Sequence, residues 1–403
     1  TNDLEEAKDI LIDLLNDESN ETENLLIADI LKKLAHINVS LKNYDDALKQ
    51  YEEAIEIMQL HLGPDHVDIA EVLIEIGDIL KNDQFFDEAI DAYSEALQLQ
   101  RQALGSNSLD VAQSLYTLGD IYKRTAQFID AKKCYEEGLN IRRIVLGDYN
   151  SDVAQGYHNL AALLDRMGNL EESEKYFRIA LELRKEVLGT THPDVAQTLN
   201  NLAAILDDLG KPEEAEPYYK EALEIYREAY GNDHPDVALS LNNLAALLDD
   251  RGCYQEAKKL YEEALIITRK VFGDSSSEVA SAVICLASVL KRLKLYNEAE
   301  KYYDEALNLK IALSGLDTTI ECAALHDQIG TMLQLQKKYK EAKLSFEKSF
   351  EIKVFQHGND HLDVAQSLEK LGTISEESGN FNEAITYLNR ALNIRIKYYG
   401  HRT

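Results

Sequence analysis

Tryptophan is absent from this 403-residue chain, and proline (5), methionine (3) and cysteine (4) are scarce. So few prolines leave long uninterrupted helices possible. The four cysteines, Cys134, Cys253, Cys285 and Cys322, form no CxxC pair. In a chain this long they read as reduced thiols of a cytosol-like compartment, which argues against a secreted protein despite the sequons at Asn20 and Asn38. No apolar run approaches the length of a membrane span, and no signal peptide is visible. Cations are also in short supply: Lys+Arg total 42 against 72 Asp+Glu, a formal charge of −30. A field of that sign repels nucleic acid and anionic membranes and leaves neutral or locally basic protein partners. Walker loops, GxGxxG and HExxH motifs are missing, no cysteine carries a histidine-paired nucleophile signature, and no cofactor is implied. The reading is of a non-enzyme.

What the chain does have is a period. Glycines fall at Gly63, Gly105, Gly147, Gly189, Gly231, Gly273 and Gly315, each step 42, and then at Gly358 and Gly400. A small-residue series keeps the same register: Ala47, Ala89, Ala131, Ser173, Ala215, Ala257, Ala299, Ala342, Ala384. Both series contain one 43-residue step, which places an inserted residue in the loop around Gly315 to Thr319. Four residues after each small residue stands an aromatic or leucine (Tyr51, Tyr93, Tyr135, Phe177 and onward), and seven after it another small residue (Ala54, Ala96, Gly138, Ala180). The spacing i, i+4, i+7 lines one face of a helix, here called helix B. Twelve residues upstream of each series member lies a second small residue after an apolar one, as in Leu34-Ala35, Leu118-Gly119 and Leu202-Ala203, which marks a helix A. A short turn between the two makes an antiparallel hairpin.

Residues 189–230 illustrate the unit. Gly189 ends a helix, and Pro193 opens helix A where its missing N–H is harmless. Asp194 follows in the first turn, where the helix dipole favours a carboxylate. Helix A runs to about Leu209, Gly210-Lys211-Pro212 turns, and helix B runs to about Tyr230. A lone hairpin cannot bury both faces, but stacked hairpins can. The expected fold is therefore all-α, a right-handed α-α superhelix of about nine hairpins plus one leading helix, forming a single array over 1–403. Its repeats are expected at 24–62, 63–104, 105–146, 147–188, 189–230, 231–272, 273–314, 315–357 and 358–400. The leading helix B occupies 1–17 (Leu4 to Leu15, with an irregular loop around Asn16 to Asn24), and the chain ends on the linker-like Gly400-His401-Arg402-Thr403. Both ends read as cut within a longer array.

The segments Thr198-Leu199-Asn200-Asn201-Leu202-Ala203-Ala204, Glu214-Ala215-Glu216-Pro217-Tyr218-Tyr219 and Gly231-Asn232-Asp233-His234-Pro235-Asp236-Val237-Ala238 resemble the 42-residue tetratricopeptide repeat of kinesin light chains and nephrocystin-3-like proteins. The spacing covers nearly the whole chain, and the detailed motif is strongest in the repeats beginning near 147, 189 and 231. Nine repeats exceed the number in a kinesin light chain, and no heptad segment precedes them. The resemblance implies a tetratricopeptide solenoid whose helices A line a concave groove that binds a protein or linear peptide motif. An adaptor in a motor or ciliary complex, cytoplasmic and cytoskeleton- or cilium-associated, is one implied role. An architectural subunit of a larger assembly, or the regulatory arm of a larger signalling protein, are the others.

The resemblance also implies a groove position two residues before the small helix-A residue: Lys33, Glu75, Thr117, Asn159, Asn201, Asn243, Cys285, Gln328 and Lys370. Asparagine holds three consecutive repeats, and an amide that both donates and accepts can pair with the backbone of an extended peptide. Asn200 and Asn242 adjoin this ladder. Tyr116 and His158, one residue before their ladder positions, are packing residues that double as pocket candidates. At the rim stand Lys123-Arg124, Asp165-Arg166, Asp207-Asp208, Asp249-Asp250 and Lys291-Arg292, a wall that runs basic, mixed, acidic, acidic, basic. Such a wall either suits a charged peptide or is simply solvated. His66, His192, His234 and His361 recur after the linker glycines as helix caps; a metal reading would need them to converge, and they lie a repeat or more apart.

Overall fold

The computed structural model of the protein describes residues 4, 7–8, 10–12 and 24–400. The loop expected from Asn16, the Asn20 sequon, most of the leading helix and residues 401–403 lie outside them. The described residues form two compact units that divide between Leu209 and Gly210. The first holds α1 (Asn24–Ser40), α2 (Tyr44–Leu62), α3 (Val67–Asn82), α4 (Phe86–Leu104), α5 (Leu109–Arg124), α6 (Phe128–Leu146), α7 (Ser151–Arg166), α8 (Leu170–Leu188) and α9 (Pro193–Asp208). The second holds α10 (Pro212–Tyr230), α11 (Pro235–Asp250), α12 (Tyr254–Phe272), α13 (Ser277–Arg292), α14 (Tyr296–Ser314), α15 (Ile320–Leu335), α16 (Tyr339–His357), α17 (Leu362–Glu377) and α18 (Phe381–Gly400). Within each unit consecutive helices pack pairwise into a stack of hairpins. Each unit is an all-α stack of antiparallel helical hairpins. From α3 to α17 helices A have 16 residues and helices B 19.

The small–aromatic–small face of helix B is the core. Ala47, Tyr51 and Ala54 are buried against α1 and α3 in the first unit. Where helix A carries glycine, the ring lies directly on its backbone: a Cβ at Gly119 would come within 2.6 Å of the Tyr135 ring, and one at Gly77 within 2.7 Å of Tyr93. Those two tyrosines are anchored by their hydroxyls, which donate to Asp120 and Asp78.

Two turn types alternate. Between repeats, seven glycines (Gly63, Gly105, Gly147, Gly189, Gly231, Gly273, Gly358) adopt φ of 77 to 93° with ψ of 156 to 178°. Only glycine enters that region readily. Gly315 differs, at φ 69°, ψ 5°. It opens a five-residue link from Ser314 to Ile320, against four elsewhere, and the extra residue is accommodated by Ser314 Oγ bonding both Leu316 N and Leu316 O. Within repeats the turn residue is left-handed whether or not it is glycine: Lys42, Gln84, Ala126, Lys294 and Lys337 have φ of 59 to 68°. The Schellman pattern holds them, with Gln127 N–H donating to Tyr122 O at 2.8 Å. The linker histidines are N-caps: His66, His192, His234 and His361 each accept, through Nδ1, the backbone N–H two residues on.

Candidate functional site

One helical step of 100° separates the groove position from its predecessor, and the structure assigns them different environments. Asn159, Asn201 and Asn243 are half-buried at the helix-A surface, while Tyr116, His158 and Asn200, each one residue earlier, are buried inside the stack. Asn159 and Asn201 belong to the first unit and Asn243 to the second. Asn159 Oδ1 accepts from Gln155 Nε2 at 2.6 Å.

His158 belongs to a buried polar node centred on Arg184, which is 1% exposed. Arg184 projects from α8 between α7 and α9. Its Nη1 donates to Asp194 O and Thr198 Oγ1, each at 2.6 Å, and lies 3.3 Å from His158 Nδ1; its Nη2 donates to Gln155 Oε1. The guanidinium can only donate, which makes Nδ1 an acceptor, and on the other side of the ring Nε2 lies 3.4 Å from Asn201 Nδ2. Burial, then the charges of Arg184 and Lys123, push the His158 pKa down to about 3. The ring packs edge-on against Phe177.

The same node recurs with other chemistry. At several interfaces the helix-B residue eleven after the series alanine or serine reaches helix A of its own repeat, of the next, or of both. Gln100 accepts from Ser114, and Arg142 lies 3.9 Å over the Tyr116 ring. In the second unit Lys353 donates to Asp327 (2.8 Å) and Ser367 (3.1 Å), while Lys370 joins the same Asp327 oxygen at 2.8 Å. Burial opposes ionisation of Asp327, but the two lysines outweigh it and hold its pKa below the ordinary value. Arg395 makes a two-pronged contact with Glu369. Sequence reasoning passed over this column, although charged residues recurring on a face otherwise occupied by buried residues are a legible signal.

At Thr268 the node position is filled by a short side chain, whose hydroxyl bonds back to Ala264 O. There a cavity of about 470 Å³ opens between α11 and α13, lined by Leu239, Asn242, Thr268, Ala282 and Cys285 among others. Asn242 Oδ1 is buried without a hydrogen-bond partner. A second cavity, about 610 Å³, lies in the first unit between α1 and α3, lined by Lys32, Lys33, Tyr51, Glu71 and Glu75 among others. Three of the nine carried-over groove positions, Lys33, Glu75 and Cys285, therefore line cavities.

The rim charges are largely paired within the protein. Lys123 bonds Asp120 at 3.1 Å and lies above the Tyr135 ring. Lys291 donates to Gln328 at 2.6 Å, and burial, then Arg292 and Lys370, lower its pKa. Arg292 approaches Asp249 at 3.5 Å and Asp250 at 3.7 Å, so this acidic pair is engaged by the next repeat. Arg124 and Arg166 are exposed. Among the described residues no helix is long and apolar enough to cross a membrane.

A profile described as the tetratricopeptide repeat matches residues 26–81, 68–144, 152–228, 208–270, 236–312, 278–353 and 319–397. No curated protein sequence matches significantly. Among solved structures, BtubC (BKLC) from P. vanneervenii is 26% identical over 59% of this chain and 92% of its own, with a TM-score of 0.49. The apo form of RapI is 19% identical over 72% of this chain and 99% of its own, with a TM-score of 0.52. A signal transduction ATPase with numerous domains and a tetratricopeptide repeat sensor, from Pyrococcus horikoshii, is 16% identical, covered over 96% of this chain and 54% of its own, with a TM-score of 0.60. At such identities the last two speak for the fold alone.

Proposed function

Because the chain belongs to the tetratricopeptide repeat family, we propose that it is a non-catalytic scaffold that binds extended protein segments on the helix-A face of each unit. The observation that carries this reading is the cavity between α11 and α13. It combines an exposed leucine, Leu239, with a buried amide oxygen, Asn242 Oδ1, that has no partner. An apolar floor with one or two fixed polar groups is what recognises a side chain together with its backbone. Asn243 beside it offers an amide able to pair with peptide backbone whatever the peptide's sequence. In the first unit, Asn159 and Asn201 offer the same group on the same face. Arg124 and Arg166 supply exposed positive charge there, which suits a segment carrying carboxylates. Four free thiols suit a reducing compartment such as the cytoplasm, and the likeness of the repeats to kinesin light chains suggests a motor or ciliary assembly.

The test is selection of a random peptide library displayed on phage against the full chain. Selected peptides are expected to lose affinity for Asn242→Leu and for Asn201→Leu, each checked for folding by circular dichroism. If selection yields binders whose affinity neither variant changes, the helix-A face is not the binding surface.

A second reading is the regulatory arm of a larger signalling protein: the same fold serves as the repeat sensor of the Pyrococcus horikoshii ATPase, of which this chain spans about half. A nucleotide-binding domain encoded in the same reading frame would support it, and its absence from the full-length transcript would remove it.

A further inference from the structure

We propose that the linker between α16 and α17 is a binding site for a divalent transition metal of the zinc type. Its ligands are His357, the last residue of α16, His361, the N-cap of α17, and Asp363 in the first turn. One ligand atom from each lies within 4.8 Å of the other two. An Asp363 carboxylate oxygen stands 3.5 Å from His357 Nε2 and 3.4 Å from His361 Nδ1. Four-coordinate zinc with bonds of about 2.0–2.1 Å sets its ligands about 3.3 Å apart, so both separations already match an edge of that tetrahedron. The third edge needs a small rotation of the two imidazoles, now stacked 4.4 Å apart. Both histidines are exposed, which allows the rotation and leaves the fourth position to water. Two imidazoles and one carboxylate select borderline metals such as zinc over magnesium or calcium, which prefer oxygen ligands alone.

The repeat supplies its own control. In the equivalent linker Tyr230 stacks on His234, 4.1 Å away, with Asp236 two residues on. The histidine cap and the aspartate are thus common features that cap and pack. Only the substitution of a second imidazole at 357, where other repeats carry Leu62, Leu104, Tyr230 or Phe272, adds a further metal donor. Bound metal would take the place of the cap bond that His361 Nδ1 accepts from Asp363 N–H, and would tie helix B of one repeat to helix A of the next.

The experiment is calorimetric titration of the full chain with zinc chloride, in parallel with magnesium chloride. His357→Tyr keeps the stack found at Tyr230, and His361→Asn keeps a cap, since Asn150 accepts from Asp152 N–H in the same position. The many surface carboxylates bind zinc weakly in all three proteins, so the comparison isolates the linker. The expected result is one site in the wild type that is weakened at least about tenfold in either variant and is untouched by magnesium. Isotherms that coincide in wild type and both variants, or a site that magnesium fills equally well, would overturn the assignment.

Discussion

His158 offers the sharpest prediction, because its pKa is moved furthest by a surrounding that the fold alone creates. In the unfolded chain an imidazole titrates near 6.5. Buried beside Arg184, it titrates at about 3. Below about pH 6.5 the unfolded state therefore takes up a proton that the folded state refuses, and stability falls as the pH drops towards 3. At about pH 5 the loss is about 2 kcal/mol, from roughly 1.5 units at 1.36 kcal/mol each. The perturbation to use is His158→Asn, since asparagine holds the same place at Asn200 and Asn242. The variant gives up the edge contact with Phe177 and is expected to be less stable by about 1–3 kcal/mol near neutral pH. It carries no group that titrates in this window, so its deficit should shrink by about 2 kcal/mol between about pH 7 and pH 5, while other titrations cancel in the difference. A repeat array does not unfold as one unit. The assay is therefore native-state hydrogen exchange at the amides of α7 and α9, which reads the local opening energy. A deficit unchanged by pH would mean that the imidazole is protonated equally well in the folded protein, and the buried Arg184–His158 node would be refuted.

Gly119→Ala should destabilise the protein by about 1–3 kcal/mol in urea unfolding, because its methyl would overlap a Tyr135 ring tethered through its hydroxyl to Asp120. Ala126→Gly should stabilise by about 1 kcal/mol, relieving a left-handed residue at φ 59°, and Gly168→Ala in the equivalent turn should do the reverse by a similar amount, both read as shifts in Tm. Lys353→Met removes one of the two cations from the buried Asp327 and should lower stability by about 3–5 kcal/mol, whereas Lys353→Met with Asp327→Leu should recover most of it. The wild-type Asp327 cluster, whose folded pKa is depressed, contributes fully above about pH 4 and is lost as the pH falls further, which an acid titration of the two proteins will separate.

The period carried most of the fold. Glycines that end helices, prolines that begin them and the small–aromatic–small face each report a local requirement, and a repeat multiplies the signal. Even the inserted residue near Gly315 could be read, because a slip of one residue shifts every later marker. The polar node was not read from the same columns. Its partners change from one interface to the next (Gln100 with Ser114, Arg184 with His158 and Thr198, Lys353 with Asp327), so only the polar or charged character of one helix-B position recurs, a weaker signal than a repeated motif. The rim was legible as charge but not as pairing: Asp249 and Arg292 are 43 residues apart, and only the stack brings them to 3.5 Å. His158 shows the limit most plainly. One position from the asparagine ladder in sequence, it is a full 100° around the helix, and that angle decides between solvent and core.

The node also explains the cavity between α11 and α13. A long cation such as Arg184 or Lys353 fills the space between consecutive helices A and satisfies the polar groups that face it, so those interfaces are closed. At the α11–α13 interface the corresponding side chains are Thr268 and Ala282, and the volume that a guanidinium occupies one unit earlier is empty space bordered by Asn242 and Cys285. Asn242 Oδ1 faces a partner that Thr268, bonded to its own helix, does not supply. A buried acceptor in that state destabilises the free protein by about 1–3 kcal/mol, and whatever donor reaches it recovers that energy on binding. Thr268→Arg would fill this cavity with a guanidinium that reaches Asn242 Oδ1 but not the partners Arg184 finds in Gln155 and Thr198, whose places Leu239 and Ala282 hold: it should abolish peptide capture at this cavity. Capture that survives an arginine there would place the binding surface elsewhere.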